Sequence, residues 1–344
     1  MKPYVLGIDI GGTNTVIGIV DARGSVIASD SIKTAKHSKL EDYIDELYTT
    51  ASRLIENNDA TDKIHGIGIG APNANYYTGI IEQGVNLPWP TPIPLARLVS
   101  EKFGIPVAIT NDANAAAIGE MTYGAARGLK DFIMITLGTG VGSGIVINGQ
   151  MVYGHDGFAG ELGHVIVKRN NGRLCGCGRT GCLEAYCSAT GVARTAREFL
   201  EIRNEPSSLR NLPIEDITSK DVYDAAINGD NLAKDVFEYT GKILGEAMAD
   251  MTVFSSPEAF ILFGGLAKSG ELLLKPLRNA MDKNMLGVFK GKPKVMLSEL
   301  KEADAAVLGA SALGWEAKPL QPAQAAPVAP AAPAQPVAPA APQV

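Results

Sequence analysis

The sequence lacks a basic excess, a secretory signal and a P-loop. Its 31 Lys and Arg against 37 Asp and Glu give a net charge of −6, which argues against nucleic acid as a partner. The apolar N-terminal run is short and turns glycine-rich, so we expect a cytoplasmic protein. The charge-free run 132–155 is broken by glycines and alternates in hydropathy, which predicts buried strands rather than a membrane span. No G-x-x-x-x-G-K-[ST] occurs, which excludes the P-loop class.

Cysteine is also scarce, and all four cysteines lie between residues 175 and 187. Disulfide scaffolds spread their cysteines along the chain, so this tight cluster indicates a metal site in a reducing compartment. Cys175, Cys177 and Cys182 follow His164, and three thiolates with one imidazole suit tetrahedral zinc. The alternative is three reduced cysteines without a ligand. Because four protein ligands leave no open position, we expect a structural zinc that holds the loop 161–184, with Cys187 buried as an apolar residue.

Apolar strands that end in glycine turns recur near residues 10, 138 and 264. This recurrence predicts two related α/β halves whose turns face a common cleft. We expect an N-terminal domain at 1–118, completed by a C-terminal helix at 303–316, and a larger domain at 119–302. Residues 317–344 hold eight Pro among Ala, Gln and Val, which predicts a disordered tail.

The first turn, "DIGGTNT", places Asp9 at a strand end, before Gly11, Gly12 and Thr13. Backbone N–H groups in such a turn can bind phosphate oxygens, and the carboxylate can hold Mg²⁺. The alternative for this turn alone is a plain hairpin. Since similar turns occur in "LGTGVGSG" and "FGGLAKSG", a nucleotide cleft is favoured. The segment "GIGIGA" fits a dinucleotide pattern, but no helix is predicted after it.

Together the motifs "DIGGT", "GVNLPWP", "NDANAAAIGE", "LGTGVG", "GELGH" and "CGCGRTGCLE" resemble the ROK family of sugar kinases and repressors. The resemblance implies a two-domain actin/hexokinase-like (ribonuclease H-like) α/β fold with a cleft between the domains and a structural zinc loop. It also implies an ATP- and Mg²⁺-dependent kinase that phosphorylates the 6-hydroxyl of glucose or a close hexose. Family members form dimers or tetramers, so a homodimer or homotetramer is expected.

The resemblance assigns roles to single residues. Asp112 would be the general base; the alternative for this Asp is a helix N-cap. The sugar would be bound by Asn86, Asn111, Asp112, Glu161, His164 and Glu184. The nucleotide and its metal would be bound by Asp9, Gly11, Gly12, Thr13, Thr139, Gly140, Gly264 and Gly265. Asn14 stands where many members carry Lys, so phosphate charge would be compensated more by Mg²⁺ and backbone N–H groups.

Two questions of function stay open at this point. The loop "VNLPWPTPIPL" favours glucose, with N-acetylhexosamines, mannose and fructose as alternatives. A sugar-sensing repressor of the same family would carry a helix-turn-helix domain before the first strand, and we expect no room for one ahead of residue 4. A kinase is therefore favoured over a regulator and over a non-catalytic module stabilised by zinc.

Overall fold

The computed structural model describes residues 2–84 and 87–319. The first part of the chain contributes these elements: β1 (Tyr4–Ile10), β2 (Thr15–Asp21), β3 (Val26–Ile32), α1 (Leu40–Asn57), β4 (Ile64–Gly70), β5 (Ala74–Asn75), β6 (Ile80–Ile81), α2 (Leu95–Phe103) and β7 (Val107–Thr110). Strands β1, β2 and β3 are antiparallel, while β4 and β7 extend the other edge of β1 in parallel. The sheet order is β3-β2-β1-β4-β7, and β5 pairs with β6 in a separate hairpin.

The rest of the chain repeats this arrangement. After α3 (Asp112–Tyr123), which follows β7 and closes the first half, its elements are β8 (Phe132–Leu137), β9 (Val141–Ile147), β10 (Gln150–Met151), α4 (Glu184–Cys187), α5 (Ala189–Ile202), α6 (Ser219–Ile227), α7 (Asn231–Ser255), β11 (Ala259–Phe263), α8 (Glu271–Asn284), β12 (Lys294–Leu297) and α9 (Glu302–Gly314). The sheet order β10-β9-β8-β11-β12 again joins three antiparallel strands to two parallel ones. The prediction of two related α/β halves is therefore confirmed.

Connection length explains why both sheets are mixed. The turns after β1 and β8 are only a few residues long, so each can return the chain only as an antiparallel neighbour. The parallel neighbours β7 and β12 are reached through α2 and α8, as a parallel crossover requires. Apolar strand residues are buried against these helices, and each half has its own large core cluster.

Helices α3 and α9 each follow the last strand of one sheet but pack on the other sheet. Helix α9 lies on the first sheet, where a Cβ on Gly68 would be 1.9 Å from the Ala310 carbonyl oxygen. Helix α3 lies on the second sheet, where a Cβ on Gly144 would be 2.7 Å from the Ala117 Cβ. The helices touch each other at Gly119, whose Cβ would be 2.8 Å from the Cα of the facing glycine in α9. Glycine at these positions lets main chains approach closely.

Helix α9 begins close to the predicted start of the closing helix, but the domain limits 1–118 and 119–302 stay a prediction. The predicted disordered tail lies outside the described residues from 320 onward. Among the helices of the described ranges, none combines the length and the apolar character that a membrane span needs.

Replacing Gly68 by Ala tests the close contact with α9. We expect the free energy of unfolding to fall by about 3 kcal/mol, because a methyl group facing main chain cannot be relieved by a rotamer change. Urea unfolding followed by circular dichroism measures the loss. Gly287→Ala is the matched control, since a Cβ there meets nothing within 4 Å. Equal stability of the two variants would contradict the packing described here.

Candidate active site

Asp112 is the first residue of α3, and one residue, Asn111, separates it from the end of β7. Its neighbour Asn111 is the N-cap, with its side-chain oxygen accepting the Asn114 N–H at 2.7 Å. The alternative in which Asp112 itself caps the helix is therefore wrong. One oxygen of Asp112 accepts the N–H of Ala113 at 2.8 Å, which fixes the direction of the carboxylate. The capping requirement is met by Asn111, so Asp112 is available for another task.

The Asp112 carboxylate is accessible to water, yet the surrounding protein desolvates it and raises its pKa. A side chain that is both accessible and closely surrounded lines a concave region. Asp9, at the end of β1, lies beside it: a Cβ on Gly70 would be 3.5 Å from the Asp9 Oδ1 and 3.8 Å from the Asp112 Cα. Burial, and then the negative charge of Asp112, raise the pKa of Asp9 to about 6. The absence of a side chain at Gly70 leaves room for this pair.

Two further carboxylates reach the same place from the second half of the chain. Glu161 precedes a short 3₁₀ helix, Leu162–His164. Desolvation raises the pKa of Glu161, the nearby charge of His164 lowers it, and the charges of Asp112 and Glu184 raise it further. Because Glu161 is exposed to solvent, water screens part of its charge interaction with these neighbours. The structure thus brings Glu161 within range of the charges of both Asp112 and Glu184.

The loop that carries Glu161 is held by Ser143 of β9, a residue that the motif analysis missed. Its hydroxyl donates to the Gly160 carbonyl oxygen and accepts the Leu162 N–H at 3.1 Å. Both bonds fix the main chain on either side of Glu161. A serine inside a glycine-rich strand carried no signal of this role, since its partners lie 17 and 19 residues further along the chain.

Glu184 connects the sugar side of the site with the second glycine turn. Its Oε2 accepts the Val141 N–H at 2.9 Å, and its Oε1 lies 3.5 Å from the Cys175 sulfur. A Cβ on Gly140 would lie 2.5 Å from the same Oε2, so a side chain there would displace this carboxylate. Glu184 is therefore not a solvated surface charge, because its carboxylate is bound to the main chain of the second glycine turn.

The geometry of the Cys and His cluster fits a zinc ion. The ligand atoms of His164, Cys175, Cys177 and Cys182 all lie within 4.8 Å of one another. The sulfurs of Cys177 and Cys182 are 3.7 Å apart, and thiolates about 2.3 Å from a tetrahedral zinc would be about 3.8 Å apart. His164 faces the Cys175 sulfur through Nδ1 at 3.8 Å, which leaves its Nε2 on the opposite side of the ring. Cys187 is buried and stands apart from this set, as expected.

Arg173 anchors the zinc loop to the body of the second half, a role that the motifs do not predict. Its side chain is buried and donates to the Ala185 carbonyl oxygen at 3.0 Å and to the Thr195 hydroxyl at 2.9 Å. Its guanidinium also lies 4.6 Å from the centre of the Tyr186 ring. In the polar segment "KRNNGR" this Arg looks like an ordinary surface residue, and only the fold shows that it is inside.

The glycine turns lie at the ends of β1, β8 and β11. In the first, the Gly11 N–H donates to the Asn14 carbonyl oxygen at 2.9 Å, and Thr13 is exposed. The third turn lies against the second, since a Cβ on Gly264 would be 2.6 Å from the Leu137 carbonyl oxygen. Gly264 has a φ of 101°, which favours glycine. Cβ atoms on Gly138 and Gly265 would meet nothing within 4 Å, so both turns present main chain to open space.

A pocket opens beside Gly265, and its walls include residues of α6 that the sequence analysis missed. The lining residues are Ser219, Lys220, Tyr223, Gly265, Leu266, Lys268 and Ser269.

Of two further residues assigned by the resemblance, Thr139 and Asn86, only Thr139 lies in the part of the chain that the structure describes. Thr139 is exposed, and its carbonyl oxygen accepts the Thr190 hydroxyl at 3.0 Å. Asn86 lies outside the described residues, so its assignment to the sugar stays a prediction.

Two repeated sheets around an acidic cleft, with a zinc-type loop at its edge, define an α/β protein of the actin/hexokinase class. The profile of the ROK family matches residues 5–317, and the chain belongs to this family. The glucokinase of Halalkalibacterium halodurans is 35% identical over 324 residues, which cover 92% of this chain and 95% of that enzyme.

Two further relatives show the range of the family. The structure of a ROK family glucokinase from Streptomyces griseus in complex with glucose and AMPPNP superimposes with a TM-score of 0.75 at 33% identity. That match covers 91% of this chain and 99% of the other. The xylose repressor of Caldicellulosiruptor bescii is 29% identical over 311 residues, which cover 90% of this chain and 77% of the repressor.

Cys177→Ser tests the metal cluster. We expect the zinc content to fall from about one ion per chain to nearly none, because a serine hydroxyl is a poor zinc ligand. We also expect weaker sugar binding, because His164 and the loop that carries Glu161 would lose their anchor. Atomic absorption and sugar titration measure the two effects. Cys187→Ala, which removes a buried thiol outside the cluster, should keep its zinc. Zinc loss with unchanged sugar affinity would contradict the shared loop.

Proposed function

We propose that this protein transfers the γ-phosphoryl group of ATP to the 6-hydroxyl of glucose, with Asp112 as the general base. The broader class, a sugar kinase of the hexokinase and glucokinase type, follows from glucokinase relatives that align over 92% and 91% of the chain. Glucose and ATP are favoured by the Streptomyces griseus structure that binds glucose and AMPPNP. N-acetylhexosamines, mannose and fructose are the alternative substrates.

The position of Asp112 is the observation that carries the proposal. Its carboxylate lies at a helix start, faces water, is not needed as a cap and has a raised pKa. A carboxylate of raised basicity can take a proton from a hydroxyl as that oxygen attacks phosphorus. Little other chemistry is needed, since phosphoryl transfer depends mainly on positioning and on charge neutralisation.

The groups around Asp112 suit a polyol. The Asn111 oxygen accepts the cap bond, so its amide NH₂ group is the part left to donate to a sugar hydroxyl. Glu161 offers carboxylate oxygens as acceptors, and His164 offers Nε2 once Nδ1 faces the metal cluster. The Oε2 of Glu184 already accepts the Val141 N–H, which holds the carboxylate in a fixed direction. Its remaining lone pairs are left to accept from a sugar hydroxyl. Acceptors and donors that converge on one region match hydroxyls that do both.

The nucleotide is assigned to the opposite side of the cleft. The turns at Gly11–Thr13 and Thr139–Gly140 would bind phosphates through main-chain N–H groups, and the pocket beside Gly265 would take the adenosine. Asp9 is an oxygen ligand of the kind that Mg²⁺ prefers, and its position beside Asp112 fits a cation between two carboxylates. Mg²⁺ bound there would neutralise charge on the phosphates.

The proposed base is tested by Asp112→Asn. We expect kcat to fall by about 10³-fold, because an amide cannot accept the proton, while zinc content and glucose binding persist. A coupled assay of ADP release across glucose, mannose, fructose, N-acetylglucosamine and N-acetylmannosamine measures both activity and specificity. Asp282→Asn, at an exposed position of α8, should leave turnover unchanged. Full activity of Asp112→Asn would remove Asp112 from the mechanism, and no turnover of any sugar by the parent protein would overturn the kinase.

The dependence of kcat/KM on pH gives a second test. Asp112 must be ionised to accept a proton, and its pKa is raised from the ordinary 3.8. Activity should therefore be present at neutral pH and be lost as the pH falls, at a higher pH than for an Asp whose pKa is the ordinary 3.8. Protonation of Asp9, whose pKa is about 6, should steepen this acid limb. The rates are measured between about pH 4.5 and 8, and circular dichroism confirms that the protein stays folded over this range. A kcat/KM that does not change with pH would contradict the assignment of Asp112.

A further inference from the structure

A buried cluster of hydroxyls and rings connects the first glycine turn with the segment 87–94. We call it the Tyr43 cluster, and it consists of Thr15, Thr34, Tyr43, Trp89 and the main chain of His37. Thr15 is the first residue after the turn, where it pairs with the last residue of β1. Trp89 comes from "GVNLPWP", the motif that also contains the sugar residue assigned by resemblance. The cluster thus touches segments from both sides of the proposed reaction.

The hydroxyl side of the cluster fixes the base of the phosphate turn. The Thr15 Oγ1 lies 2.9 Å from the Thr34 Oγ1 and 2.8 Å from the Tyr43 hydroxyl. All three side chains are completely buried, with 0% exposure. Buried hydroxyls are costly unless they are paired, so Thr34 and Tyr43 both restrain the Thr15 hydroxyl between them. Helix α1, through Tyr43, therefore holds the end of the turn in place.

The ring side of the cluster fixes the segment 87–94. The rings of Tyr43 and Trp89 have centroids 4.5 Å apart, and the Trp89 indole N–H donates to the His37 carbonyl oxygen at 3.0 Å. Trp89 is only 6% exposed although it belongs to a loop. A buried indole whose N–H is paired anchors its segment at one position. Tyr43 is the residue that touches both Thr15 and Trp89.

We propose that Tyr43 is a positioning residue that couples the sugar site to the nucleotide site, an inference that rests on the proposed function. A sugar bound next to the segment that Trp89 anchors would act on the phosphate turn through the Tyr43 ring and hydroxyl. Coupling between two bound ligands is reciprocal, so sugar would raise the affinity for ATP and ATP would raise the affinity for sugar by the same factor. This arrangement limits tight binding of ATP to molecules that already hold a sugar.

Tyr43→Phe tests the coupling, because it keeps the ring and removes the bond to Thr15. The measurement is the Kd of AMPPNP with and without saturating glucose, by titration calorimetry. In the parent protein, glucose should tighten AMPPNP binding. In Tyr43→Phe the ratio of the two Kd values should fall by about fivefold, since one hydrogen bond to the turn is lost. KM for ATP should rise while kcat changes less.

Matched variants separate coupling from mere stability. Tyr48→Phe changes a tyrosine on the same helix whose ring packs 5.0 Å from that of Phe103, and it should leave the ratio unchanged. Trp89→Phe should lower the ratio as Tyr43→Phe does, and it serves as the test if Tyr43→Phe does not fold. In the double variant the Kd ratio should fall little further than in the more affected single variant, because both residues belong to one chain of contacts.

The outcomes distinguish this inference from the proposed function. An unchanged Kd ratio in both Tyr43→Phe and Trp89→Phe overturns the coupling role, even if their thermal stability falls. Independent binding of glucose and AMPPNP by an active parent protein overturns it as well. A parent protein that turns over no sugar overturns the proposed function and, with it, this inference.

Discussion

Close contact between main chains, at positions without side chains, is the constraint on which this structure depends. Helices α3 and α9 touch at Gly119 and Gly309, and each lies on the sheet of the other half through contacts at Gly144 and Gly68. A methyl group at these places would push the helices from the sheets. Because the helices are held there, strand ends and loops from both halves meet in one region. The acidic site is a consequence of that meeting, since it draws Asp9 and Asp112 from one half and Glu161 and Glu184 from the other.

Carboxylates brought so close together raise one another's energy. Burial is the larger cost, since it is the main cause of the raised pKa values of Asp9, Asp112 and Glu161, and neighbouring carboxylates add to it at Asp9 and Glu161. Such a site favours ligands that donate hydrogen bonds or carry positive charge, and the hydroxyls of a sugar and a Mg²⁺ ion have these properties. Rigid support is needed to keep the carboxylates in place, and the zinc-type cluster, Ser143 and Arg173 supply it from outside the site.

The family contains both kinases and repressors, and this chain aligns with both over most of its length. A fold that places sugar ligands around a cleft can serve either purpose. What distinguishes a kinase is a base with the right pKa next to a place for phosphate. Both depend on details of burial and of turn geometry, which is why the proposal depends on Asp112 and the glycine turns rather than on the fold.

Local features of the chain could be predicted from the sequence because they depend on neighbouring residues. The zinc set follows from ligand type and spacing, the repeated halves from strands that end in glycine, and the helix start at 111–112 from capping chemistry. Even there, the choice between Asn111 and Asp112 as the cap needed the structure. The roles of Ser143, Arg173 and Tyr223 could not be predicted, because the residues that they contact or line a pocket with are distant in sequence.

By itself, the sequence determined which groups are present and which short segments can form strands, turns and a metal loop. Tertiary structure alone decided that Asp9 and Asp112 share one cleft, that Arg173 is buried and that Tyr43 joins two segments 74 residues apart, Thr15 and Trp89. The physical reason is that desolvation, close packing and charge interaction each sum over many neighbours in space. No stretch of the chain contains those neighbours until the two halves have folded against each other.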